Sequence, residues 1–70
     1  MNRQNVVSSN IRSIGYDQIS MVLEVEFLNG SVYQYIGVPE SLFNELMKAP
    51  SHGTFLAQNI KDRFAYRRIS

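Results

Sequence analysis

The sequence has no cysteine and only one histidine, His52. Without thiols there can be no disulfide and no thiolate ligand. A lone imidazole cannot assemble the four-ligand set, mostly Cys and His, of a structural zinc. No metal and no cofactor are expected, so the fold must rest on apolar packing. No apolar run approaches the ~18 residues of a membrane span. The opening Met1-Asn2-Arg3-Gln4 is not a basic-then-apolar signal segment. The expected setting is the cytoplasm, with no membrane contact. A phosphate-binding loop, a dinucleotide-binding glycine pattern and a nucleophile elbow are all missing. Ser8 and Ser9 have no base supplied for them in sequence. The chain therefore reads as a binding module, not an enzyme, with no catalytic residues.

What is present is enough for one core. Seventy residues, 44% hydrophobic, with four Tyr and four Phe, make a single domain spanning 1–70. Residues 1–5 are polar and expected to be frayed. A chain this short buries only ~60% of its unfolded surface and has little stability to spare.

The clearest segment runs from Ile19 to Leu28. Ile19, Met21, Leu23, Val25 and Phe27 alternate with residues that include Ser20, Glu24 and Glu26, the pattern of a half-buried strand. Asn29-Gly30 is a strong hairpin signal, and Val32 to Ile36 reads as the return strand. Two loop lengths are open, and the side-chain pattern separates them. A two-residue loop pairs Phe27 with Val32 and sets Tyr33 and Tyr35 beside the glutamates. A three-residue loop, Leu28-Asn29-Gly30, pairs Val25 with Tyr33 and Leu23 with Tyr35. It puts Gly30 in the left-handed position of a G1 bulge. A one-residue slip exchanges the two faces, and only the longer loop gathers Leu23, Val25, Phe27, Tyr33 and Tyr35 on one of them. On this reading Phe27→Ala costs ~3–5 kcal/mol.

Upstream, Ile11 to Tyr16 forms the preceding strand, with Ile14 and Tyr16 on the apolar face and Asp17 to Ser20 as the connecting turn. Ile19 or Met21 then opens the central strand. Val6 and Val7 either extend the first strand or pack loosely. Downstream the period changes. Pro39 suits the first turn of a helix, whose stripe is Leu42, Phe43, Leu46 and Met47. Pro50 stops it near Lys48 or Ala49. Ser51 is the N-cap of a second helix with Phe55, Leu56 and Ile60 as its buried side. Phe64 to Ile69 is β-prone and adds a strand at a sheet edge, in this chain or in another copy. The fold class is α+β: a three-stranded antiparallel meander, two short helices on one face, and a short C-terminal strand.

Several of these pieces, in order, resemble the KTSC domain family. They are Val7-Ser8-Ser9-Asn10-Ile11, Ile14-Gly15-Tyr16-Asp17, Leu23-Glu24-Val25-Glu26-Phe27 and Gly30-Ser31-Val32-Tyr33-Gln34-Tyr35. Val38-Pro39, Ala49, Ser51-His52-Gly53, Phe55 and Ile60-Lys61 follow. Leu56-Ala57 departs from a pattern that elsewhere carries a second aromatic and a polar residue. The resemblance implies structural roles for Gly30, Tyr33, Tyr35 and Pro39. The family is named for its place at the C-terminus of some lysyl-tRNA synthetases, and also occurs as small bacterial and phage proteins. That association implies RNA, tRNA above all, as a partner.

The residues add their own argument. Net charge is only +1, yet Lys61, Arg63, Arg67 and Arg68 crowd the last ten residues against Asp62 alone. They are the candidate nucleic-acid-binding residues, able to contact phosphates without reading sequence. The alternative is a protein-interaction adaptor that uses a sheet edge or the face bearing Glu24 and Glu26. His52 reads as a turn residue beside a cap. Tyr33 and Tyr35 read as core and not as a base-stacking platform.

Overall fold

The computed structural model describes residues 1–70. Five antiparallel strands pair in sequence order: β1 (Arg3–Asn5), β2 (Ile11–Asp17), β3 (Val22–Phe27), β4 (Val32–Ile36) and β5 (Ala65–Arg68). Helices α1 (Glu40–Lys48) and α2 (His52–Asn59) are inserted between β4 and β5. The α+β class holds, but the sheet has five strands where three and a short tail were expected.

The hairpin register is the one chosen by the side-chain pattern. Val25 lies opposite Tyr33 and Leu23 opposite Tyr35. Gly30, at φ +92°, closes the three-residue loop, and its amide donates to the Phe27 carbonyl at 2.9 Å. A left-handed residue here is nearly free for glycine and strained for residues with a Cβ.

Two expectations fail at the other end of β3. Ile19 and Met21 do not open the strand. Ile19 is 97% exposed at the tip of the β2–β3 turn, and Met21 takes φ +57°. The alternation persists in the sequence, but β2 runs to Asp17 and leaves Gln18 to Met21 to make the reversal. Asp17 builds that turn by accepting from the Ile19 amide at 3.1 Å.

The core lies between the helices and one face of the sheet. Ile11, Ile14, Leu23, Val25 and Tyr35 meet Val38, Leu46, Leu56 and Ile60. Ile11 has the wrong parity to join Ile14 on a regular strand. A β-bulge between Ile11 and Ser13 absorbs one residue, so that Ile11 turns inward and Arg12 outward. Tyr16 stacks on Phe43 of α1 with centroids 4.7 Å apart, and its hydroxyl donates to the Val38 carbonyl. Pro50 and Ser51 mark the helix boundaries as expected, and Pro39 lies one residue before the first turn in which it was expected. Pro39 is the N-cap of α1, α1 ends at Lys48, and the Ser51 side chain accepts from the Thr54 amide.

Residues 3–5 form an edge strand, not a frayed end. Polar composition hid this, because β1 is held by its backbone and by one long side chain. Arg3 lies opposite Gly15. A Cβ on Gly15 would sit 2.9 Å from the Arg3 Cγ and from the Asn2 carbonyl oxygen. With no side chain there, Arg3 crosses over β2 and reaches Glu24 on β3, with Nη1 3.1 Å from Oε2. Val6 packs against the core edge, while Val7 is 97% exposed.

Candidate functional site

The sheet has two unlike faces. On the face away from the helices a polar row crosses the strands. Arg3 donates to Glu24, Gln34 donates to Glu24 at 2.8 Å, and Arg67 donates to Gln34 at 2.8 Å. Glu26 accepts from Ser13 at 2.9 Å and lies 3.9 to 4.0 Å from Arg12 and Arg3. The two glutamates are thus neutralised in place, and the acidic face expected from their alternation is not an acidic surface.

On the helix face the cover is incomplete. The helices bury β2 and β3, but the β4–β5 end is left as a cleft of about 330 Å³. Its floor is aromatic: Phe27, Tyr33 and Tyr66, with Tyr35 beneath. Phe27 meets Tyr33 edge-on at 5.8 Å, and Tyr66 lies tilted against Tyr33 at 5.8 Å and Tyr35 at 6.1 Å. The two tyrosines taken as a pair therefore part company. Tyr35 is core, 3% exposed, whereas Tyr33 is half-buried and lines the cleft. Phe27 is half-buried as well, so its truncation should cost less than a core residue's.

The four basic residues do not form one patch. Lys61 lines the cleft. Arg68 lies opposite Tyr33 on β5 and so shares its face. Arg67, one residue earlier, projects to the opposite face and is tied to Gln34. Arg63 leans back on the end of α2, 3.4 Å from the Gln58 carbonyl. Strand parity at β5 decides this division.

At the mouth of the cleft the serine–asparagine segment before β2 meets the start of α2. The Ser8 hydroxyl donates to the Asn10 side chain at 3.2 Å and accepts from the Ile11 amide at 3.3 Å. Asn10 in turn rests directly on Gly53. His52, in the first turn of α2, has its Nδ1 buried without a hydrogen-bond partner. No cluster of three or more His, Cys, Asp or Glu side chains comes together. No helix is long and apolar enough to cross a membrane.

Residues 7–64 match the KTSC domain family model. The chain belongs to the KTSC domain family. It is similar to a solved KTSC domain protein from Yersinia pestis, with a TM-score of 0.93 and 46% identity over 99% of this chain and 97% of that one. An uncharacterized protein of Stutzerimonas stutzeri is 40% identical over 99% of both chains. A lysine–tRNA ligase of Nostoc punctiforme is 39% identical over 89% of this KTSC chain, which spans only 11% of the ligase. The KTSC match ends before β5. Lys61 and Arg63 lie inside it, and Tyr66, Arg67 and Arg68 lie beyond it.

Tyr35 supplies a test of the cleft's floor. Burial pushes its hydroxyl above the ordinary tyrosine range, and Tyr33, Tyr66 and Asp62 push the same way. A raised folded value means that this contribution is complete below the unfolded pKa of ~10 and is lost as pH rises through the folded value. An alkaline titration followed by circular dichroism and tyrosinate absorbance should show unfolding as the last tyrosines ionise. Tyr35→Phe should shift that unfolding to higher pH; an unchanged profile would count against the burial.

Proposed function

We propose that this KTSC domain is an RNA-contacting module, acting in the cytoplasm on tRNA or a tRNA-like partner. The observation that carries the reading is Lys61 and Arg68 on the same face as the uncovered aromatic strip. Arg63 extends this basic edge along the turn after α2. The likeness to part of lysine–tRNA ligases supports the same class of partner. Phosphate contacts by three cations position a strand without reading its sequence.

Amide NMR titration with a mixed tRNA pool tests it. Shifts should cluster on Lys61 to Arg68 and weaken with salt. Three phosphate contacts give a loss of roughly 20- to 40-fold between about 50 and 200 mM salt. Lys61→Ala and Arg68→Ala should each weaken binding more than Arg67→Ala, whose side chain is engaged on the other face. If nothing moves at low salt, the RNA reading fails. The sheet-edge adaptor would then lead, because the outer edges of both β1 and β5 lack a neighbouring strand.

A further inference from the structure

The chain's three ion pairs all lie on the sheet face opposite the cleft. Lys61 and Asp62 both line the cleft and are paired neither with each other nor with any other charge. Both are exposed, so their charges stand in solvent beside the aromatic floor, where a ligand can reach them. Tyr66 adds to this: it is 60% exposed on an edge strand, where its ring is not needed to seal the core. Asn29 directs its side-chain oxygen to Ser31, accepting from the amide at 3.0 Å and from the hydroxyl at 2.7 Å. That leaves the Asn29 amide NH2 as a free donor at the rim.

We infer that the cleft seats one unstacked nucleobase bearing an exocyclic amino group. Its volume of about 330 Å³ falls at the lower end of small-molecule sites, ~300–1,000 Å³, which suits one base better than a dinucleotide. Tyr66 and Tyr33 provide a π-surface, and stacking of this kind is tolerant of base identity. Discrimination falls to the polar groups. Asp62 is an acceptor for an amino group, as carboxylates are for cytosine N4. Lys61 and the Asn29 amide are donors for ring or carbonyl acceptors. Cytosine offers a donor at position 4 where uracil offers a carbonyl, and a carbonyl facing the Asp62 carboxylate is repelled. Cytidine is therefore favoured over uridine. The inference rests on the RNA reading for its biological setting, but its chemistry can be tested without phosphate.

The experiment is an amide and side-chain NMR titration of the full chain with millimolar cytidine and uridine, which carry no phosphate, alongside the tRNA titration. Cytidine should shift Tyr33, Ala57, Asp62 and Tyr66 more than uridine does. Tyr66→Ala should weaken cytidine binding roughly tenfold. Asp62→Asn should keep binding and remove the preference for cytidine, a change that loss of folding could not imitate. Shifts with tRNA but with neither nucleoside would overturn the cleft assignment and leave the phosphate contacts standing. Cytidine shifts without tRNA binding would support the cleft and overturn the RNA reading. Equal response to both nucleosides would overturn the role of Asp62.

Discussion

Leu23→Ala is expected to lower the melting temperature by at least ~10 °C and to leave the domain close to unfolded at 37 °C. Leu23 is fully buried near the start of β3, where it faces Tyr35 across the strand pair and lies under the helices. Truncating such a residue removes its transfer free energy and leaves a cavity, at a combined cost of ~2–5 kcal/mol. The whole stability of a 70-residue domain is only ~4–10 kcal/mol. Thermal unfolding followed by circular dichroism measures the loss. Ile19→Ala is the control. The alternation places Ile19 on the same face as Leu23, yet its side chain stands in solvent, so its melting temperature should not move. Equal losses in the two variants would mean that β3 starts earlier than described.

The second large effect is expected at Gly53. A Cβ there would fall well inside van der Waals contact of the Asn10 side-chain oxygen, and within 3.1 Å of its Cγ. Asn10 can relieve the contact only by turning its whole side-chain amide away from α2, because Cγ and Nδ2 are crowded as well as Oδ1. Its side chain is held by Ser8, and its carbonyl accepts from the Leu28 amide at 2.9 Å. Two effects oppose each other in Gly53→Ala. Helix propensity favours alanine by up to ~1 kcal/mol, whereas overpacking costs ~1–3 kcal/mol. Turning the Asn10 side chain away breaks its bond to Ser8 and opens the packing against α2, which makes overpacking the larger, so the variant should be destabilised and the mouth of the cleft disturbed. In an Asn10→Ala background the clash is gone and only propensity remains, so Gly53→Ala should become neutral or stabilising. A double-mutant cycle read by chemical denaturation gives the coupling directly. Additive effects would show that the two residues do not meet.

The pair also joins two motifs that lie far apart in the sequence. Ser8-Ser9-Asn10 and Ser51-His52-Gly53 look like unrelated turn segments when read along the chain. In the fold they are two halves of one contact, where the entry to β2 abuts the entry to α2. The glycine's role is that of a space for Asn10, not of a flexible joint. Gly15 acts in the same way for Arg3.

Much of the local structure is legible because its determinants are local. The turn chemistry of Asn29-Gly30 and the period-2 pattern on both sides of it specify the β3–β4 register, since any slip would expose the apolar set. Pro39 and Pro50 bound the helices through constraints on the backbone, and Ser51 does so through its side-chain cap. The ordered motifs from Val7 to Lys61 identify the KTSC family. The tertiary structure alone decided the rest. β1 exists because Gly15 leaves room for Arg3 to reach Glu24. Ile11 is buried because a bulge resets its parity. Tyr33 lines the cleft while Tyr35 is sealed, because the helices cover only part of a sheet whose alternation treats both residues alike. The four cations near the C-terminus look like one cluster in sequence, but strand parity sends Arg68 to the cleft side and Arg67 to the other face. Alternation tells which residues share a face; where packed elements stop covering that face depends on contacts between distant segments, and those contacts make the candidate site.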